Sequence, residues 1–241
     1  MKRVNFVMQG KGGVGKTYVS SLLAQYHLEN KKEIVCIDTD PVNATFSGYK
    51  AFNVRRLELM DGNDLNPRKF DAMMKMLLEE DSHFIIDNGA ASFLPLSSYI
   101  IENGVVDLLT KEGKEVVVHI PITGSQGLRD TLTGFDKLAS HLPDSAKLVV
   151  WLNEFFGSVV SEDGKQFEEM KVYTKNKNRV SGIVRIPRQT ATTFGQDVES
   201  MLTRRATFAE VKEDPAFEFM SKQRLAMVQN NLFGQMEAVA V

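Results

Sequence analysis

Gly10-Lys11-Gly12-Gly13-Val14-Gly15-Lys16-Thr17 carries the residue types that grip a polyphosphate. Glycines let backbone N–H groups converge on phosphate oxygens without Cβ clashes. Lys16 is placed to reach the outer phosphates, and the Thr17 hydroxyl to hold Mg²⁺. The chemistry needs Gly10, Gly12, Gly13, Val14 and Gly15 as a loop, with Lys16 and Thr17 opening a helix. Residues 4–8 supply a short apolar run bounded like a buried strand, and 18–29 read as the helix. A helix N-terminus adds partial positive charge at the same spot.

Two further acidic positions suit the same chemistry. The run at 37–41 is Ile-Asp-Thr-Asp-Pro, so Asp38 and Asp40 point the same way from a strand end. Beside a polyphosphate they repel it unless a metal or a lysine lies between. With Mg²⁺ present, such a pair suits a metal-side carboxylate and a base that orients water. His83-Phe84-Ile85-Ile86-Asp87 is an apolar strand ending in an acid, the form that holds a Mg²⁺-bound water through Asp87.

These residues require strands that end together. Candidate strands lie at 4–8, 33–38, 83–87, 115–120, 147–153 and 180–186, nearly continuous Val/Ile/Leu/Phe runs of the kind buried on both faces. Helical stretches alternate with them, which predicts an α/β protein with a mostly parallel twisted sheet and helices on both faces. Ligand chemistry then gathers at the carboxyl ends of the strands. Arg55 to Leu59 reads as an edge strand, and Asn66-Pro67 as the start of a helix through Leu78. Ser125 to His141 reads as another helix, and Ser161-Glu162-Asp163-Gly164 as a hairpin turn. From Thr193 the pattern is helical to the end, and the whole of 1–241 is expected to be one domain with those last helices packed on it.

The composition sets bounds. With 241 residues, 43% hydrophobic, there is enough chain for one full core. A net charge of −2 gives no whole-molecule attraction to nucleic acid or acidic lipid, so such binding needs a local patch. Lys171, Lys175, Lys177 and Arg179 are the candidate patch for nonspecific DNA, with a solvated helix face as the alternative. The lone Cys36 supports neither a disulfide framework nor a thiolate cluster. No signal peptide and no apolar run of transmembrane length is visible, which predicts a cytoplasmic location.

With Lys11 ahead of Gly-Gly-Val-Gly-Lys-Thr, the loop resembles the deviant Walker A of the ParA/MinD ATPases, a class of P-loop NTPases. The resemblance implies that Lys11 is the signature lysine, reaching across an ATP-dependent homodimer to the partner's phosphates. It implies that Asp40, in Asp-x-Asp-Pro, positions or activates the attacking water, with Asp38 nearer the metal. Val149-Val150-Trp151-Leu152-Asn153 ends in an Asn that resembles the family's adenine reader. Glu154 and Phe155 follow where a GTPase has Lys and any residue, and no Asp stands at the next offset, so ATP is implied rather than GTP. Pro187 sits where relatives close a loop over the base, with Arg188 beside it.

Asn88-Gly89-Ala90 departs from the family's usual Thr-Pro-Pro after the Walker B acid. With Asp87 before it, and together with 9–16, 37–46, 48–51 with 53–57, and Val150-Trp151-Leu152-Asn153, it is similar to TraL-type proteins of plasmid conjugative-transfer regions. That closer resemblance implies a role in conjugation, with other transfer proteins as possible partners, while the ParA/MinD motifs, Lys11 beside a complete loop with Asp40 and Asp87, imply a slow Mg²⁺-dependent ATPase switch. Relatives of the MinD type end in a membrane-targeting helix, whereas Asp214, Glu218 and Glu237 temper the basic character such a helix needs. Two alternative readings of the loop are a non-hydrolysing ATP-dependent interaction module and a small-molecule kinase or ligase of the dethiobiotin-synthetase type.

Overall fold

A computed structural model describes residues 1–155 and 157–239. The elements in chain order are β1 (Lys2–Val7), α1 (Lys16–Glu29), β2 (Ile34–Asp38), β3 (Arg55–Arg56), β4 (Met60–Asp61), β5 (Asp64–Leu65), α2 (Phe70–Glu79), β6 (His83–Asp87), α3 (Phe93–Glu102), α4 (Val105–Lys111), β7 (Lys114–Thr123), α5 (Leu128–His141), β8 (Lys147–Asn153), α6 (Lys171–Asn176), β9 (Val180–Ile186), α7 (Gln196–Arg204), α8 (Phe208–Glu213) and α9 (Phe219–Ala238). Among the described residues seven strands form one sheet in the order β3-β2-β6-β1-β7-β8-β9, every pairing parallel. β4 and β5 make a separate two-stranded hairpin.

The continuous apolar runs are explained by burial on both faces. Val4, Phe6, Phe84, Ile86, Val118 and Val150 pack beneath α2 to α5 on one face. Their neighbours Val7, Ile85, Val117, Val149 and Trp151 pack on the other, against α1 and the C-terminal helices. α1 has sheet on one side and α7 to α9 on the other, so Tyr18, Val19, Leu22, Leu23 and His27 are all buried. Leu225, Val228, Leu232 and Met236 turn inward from α9 onto this layer. No helix of the described residues is long and apolar enough to cross a membrane.

Three expectations are corrected in detail. The helical tail is not continuous. α7 stops at Arg205, whose φ of 52° is left-handed, and Thr207 caps α8 with Glu210 as its box partner. A second break spans 214–218, where Pro215 falls. β7 runs past Ile120 to Thr123, through Pro121. A proline is tolerated there because the edge of Pro121 that faces β1 lies beyond that strand's end, and its carbonyl takes a hydrogen bond from Gln9 Nε2 at 3.0 Å. The edge strand expected over 55–59 pairs only through Arg55 and Arg56. The hairpin around Gly164 forms as expected, closed by a Val160–Gln166 bridge.

A buried polar chain ties four adjacent strands together. Trp151 Nε1 donates to His119 Nδ1 at 3.0 Å, so His119 carries its proton on Nε2 and donates to Asn5 Oδ1 at 3.1 Å. Asn5 Nδ2 donates in turn to the Phe84 carbonyl at 3.0 Å. Burial, more than any neighbouring charge, pushes the His119 pKa down to about 3. An unfolded histidine binds a proton near pH 6.5, so the native state is fully favoured above that pH and is weakened as pH falls from 6.5 towards 3. His119 alone accounts for a loss on the order of 5 kcal/mol across that window. Imidazole NMR at pH 5 is expected to show His119 still neutral, with its proton on Nε2; a titration near 6.5 would contradict this network.

Candidate functional site

The glycine-rich loop starts where β1 ends. Gln9, fully buried, anchors it. Its Oε1 accepts from Gly10 N at 2.9 Å, and its Nε2 donates to the carbonyls of Pro121 and Thr131, each at 3.0 Å. Gly134 on α5 is required by this anchor, since a Cβ there would lie 2.0 Å from Gln9 Oε1. Gly15 adopts a φ of 92°, and a Cβ on it would meet Asn153 Nδ2 at 2.6 Å. α1 begins at Lys16 with no side-chain cap on its first turn, and the first N–H groups of a helix have no partner within it. Lys16 is buried, and Nζ donates to the Lys11 carbonyl at 2.9 Å. Burial lowers its pKa, opposed by Asp87 and then Asp40.

The acids meet this loop through the sheet register, which sets Val7 and Asp38 beside Asp87. Asp87 accepts from Thr17 Oγ1 at 2.7 Å and from Ser20 Oγ at 2.8 Å. Burial pushes its carboxyl up to about 7, reinforced by the Asp38 charge. Asp38 faces the following loop. Its Oδ1 accepts from Asp40 N at 3.0 Å, and its Oδ2 accepts from Ser47 N at 2.9 Å and Ser47 Oγ at 3.1 Å. Asp40 is half-buried, and its Oδ1 accepts from Val42 N and Asn43 N, each at 2.9 Å. A Cβ on Gly89 would fall 2.6 Å from Asp40 Cγ, so glycine lets the two loops touch.

A mainly apolar cavity of about 180 Å³ adjoins the loop. Gly13, Gly15, Tyr18, Asn153, Phe155, Ile186 and Pro187 line it, with Val198 and Leu202 from α7. Arg188 is exposed and is not part of the lining. Asn153 does something its sequence position did not suggest. Its Nδ2 donates to the Val14 carbonyl at 3.0 Å and its Oδ1 accepts from Phe155 N at 3.2 Å, so the amide braces the loop.

Lys11 lies apart, over α5, where Nζ pairs with Asp130 at 2.8 Å on the open surface. Beside it, Thr123 to Gly127 and the loop enclose a cleft of about 480 Å³. The candidate DNA patch is partly spoken for. Lys175 pairs with Asp136, and Arg179 turns onto the carbonyls of Leu142 and Pro143.

A magnesium-bound nucleotide fits these donors. Thr17 and Asp87 supply hard oxygen atoms at one point, and no set of three His, Cys, Asp or Glu ligands lies among the described residues. Mg²⁺ characteristically takes few protein ligands and completes its shell with phosphate oxygens and water. The start of α1 and Lys16 lie at the loop, and the apolar cavity adjoins it.

Residues 6–223 match the family described as the CobQ/CobB/MinD/ParA nucleotide binding domain. The chain belongs to that family. Two proteins named TraL from Escherichia coli are 50% and 48% identical to it, each match spanning 241 residues and all of both chains. The septum site-determining protein MinD from Pyrococcus horikoshii OT3, solved with Mg-ADP, superposes with a TM-score of 0.56 at 19% identity, over 95% of each chain. That likeness shows that the fold is shared with this ParA/MinD neighbour. Within this ParA/MinD domain, sequence reading placed the loop, Asp38, Asp40, Asp87, Asn153 and Pro187, and the structure gathers them at one end of the sheet. It missed Gln9, Ser20 and Asp130.

The Asn153 brace gives a direct expectation. Asn153→Ala leaves the Val14 carbonyl without its donor and loosens the loop, weakening nucleotide binding about ten-fold, the worth of one or two hydrogen bonds. Calorimetric titration with Mg-ADP measures it, and an unchanged affinity would show that Asn153 neither braces the loop nor touches the nucleotide.

Proposed function

We propose that the protein is a slow Mg²⁺-dependent ATPase switch, two copies joining face to face on ATP and separating after hydrolysis. The observation that carries this reading is Lys11. A complete phosphate loop already has Lys16 inside it, yet a second lysine of the same loop is held out on the surface by Asp130. A side chain so placed reaches a neighbour's phosphates more readily than its own.

When bound, Mg²⁺ would supply positive charge that offsets the phosphates. Thr17 and Asp87 would hold the ion, and Ser20 fixes the Asp87 carboxylate. Lys16 leaves the Lys11 carbonyl for the outer phosphates, while the backbone N–H groups of 12–17 surround the inner ones. Asp40 keeps one oxygen on its loop through Val42 and Asn43 and turns the other to the attacking water. Asp38 positions that loop through Ser47 and the Asp40 amide. Tyr18, Phe155, Ile186 and Pro187 cover the adenine.

Similarity to the TraL proteins supports a place in plasmid conjugative transfer, with other transfer proteins as partners. The molar mass of the protein in solution tests the switch. With ATP and Mg²⁺, Asp40→Ala is expected to accumulate as a dimer and Lys16→Ala to stay a monomer. A protein that stays monomeric in every variant rules out the sandwich. Phosphate release appearing only with an added metabolite would assign the cleft beside the loop to a small-molecule acceptor instead.

A further inference from the structure

The end of the sheet remote from the phosphate loop holds a second basic pocket, of about 450 Å³. Its floor is a row of side chains on adjacent strands. Parallel register sets Arg3 on β1 beside Glu115 on β7, and places His83 at the head of β6 on Arg3's other side. His27, near the end of α1, covers the row, its ring 4.9 Å from that of His83.

Each imidazole has one buried nitrogen with no hydrogen-bond partner among the described residues. His27 is only 3% exposed, and its Nε2 and the Nδ1 of His83 are buried without a hydrogen bond. Elsewhere in this fold a buried histidine is fully used, as His119 is. Leaving polar atoms buried and unpaired is costly, and such positions call for a missing partner.

The surrounding charge says what that partner is. Glu115 is the acid in the row, and it is already held by both Arg3 and Lys147. Lys32 lines the same pocket, is exposed, and has no ion-pair partner among the described residues. The last carbonyls of α1, which would repel an anion, are closed off. Lys32 N caps His27 O at 2.9 Å, and Asn30 N caps Tyr26 O at 3.1 Å. Arg3 and Lys32 disfavour a metal cation, and no set of three metal-ligating side chains lies here.

We propose that the pocket between His27 and His83 is an oxyanion site for a phosphate group, free or on the end of a small molecule. Two imidazole N–H groups, the Lys32 ammonium and the outer face of Arg3 supply charge-assisted donors to a tetrahedral anion. Burial first holds both histidine pKa values down, that of His27 to about 4; His83, Arg3 and Lys32 add to it at His27, and Lys2, Lys32 and Arg3 at His83. A bound anion offsets those charges. The site is separate from the nucleotide loop and does not depend on its function.

The test uses the full chain carrying Lys16→Ala, which silences the phosphate loop, and follows imidazole resonances by NMR. Titration with inorganic phosphate or glycerol phosphate is expected to move His27 and His83 saturably and leave His119 in place. Tighter binding of glycerol phosphate identifies a phosphorylated small molecule, and equal binding identifies free phosphate. Lys32→Ala, an exposed change that spares the core, is expected to weaken binding about ten-fold. No movement, movement unchanged in Lys32→Ala, or movement with zinc but not phosphate would overturn the proposal.

Discussion

Replacing Lys16 with alanine is expected to lower ATP hydrolysis by about 10²–10³-fold, the usual cost of deleting one aimed donor from developing negative charge. The same change is expected to leave the thermal unfolding midpoint of the nucleotide-free protein equal to or above the parent's. The two outcomes follow from one geometry. Lys16 is buried, and its ammonium hydrogen-bonds a backbone carbonyl rather than a carboxylate. Asp87 and Asp40 draw on its charge from a distance, while burial opposes it. A buried cation whose hydrogen bond is to a neutral group is a stability liability, and removing it relieves that. Its place is justified only when an anion arrives. Steady-state phosphate release and calorimetry on the variant decide the matter. Hydrolysis within ten-fold of the parent would mean that the triphosphate is gripped elsewhere.

The sheet was largely legible in the sequence because parallel strands buried on both faces leave unbroken apolar runs. Residues 83–87, 147–153 and 180–186 coincide with β6, β8 and β9. Pro121 hid the end of β7, since a proline normally marks a strand's limit; only the position of β1's end shows that no ladder bond is missing there. The phosphate loop was legible because its chemistry is local. Its supports were not, because they are brought in from far along the chain. Gln9 works through residues 112 and 122 positions away, and Ser20 through one 67 away. Asn153 was visible as a polar strand end, but its use as a brace depends on Val14, 139 positions distant. The two ends of the sheet contrast in the same way. At the carboxyl ends a contiguous motif announces itself, whereas the His27–His83 pocket is assembled from four separate segments and leaves no pattern in any of them.

Lys11→Ala is expected to cut ATP-driven hydrolysis by about 10³-fold, the lower range for a cationic group supplied across an interface. Asp130→Ala is expected to act the opposite way, raising hydrolysis at limiting protein about two- to five-fold, because an exposed ion pair is a weak restraint. That gain should fade at high ionic strength, where the pair is screened. Asp130 therefore restrains Lys11 weakly, without locking it. Whether Lys11 serves its own site or a partner's is decided by mixing two inactive proteins. In a heterodimer of Lys11→Ala with Asp40→Ala, the Lys11→Ala subunit keeps its own Asp40 and receives Lys11 from its partner. Equal mixing then restores about a quarter of parental activity, half of the dimers being mixed and each having one intact site. If Lys11 acted within its own subunit, every site in the mixture would lack either the lysine or the acid, and nothing would be restored.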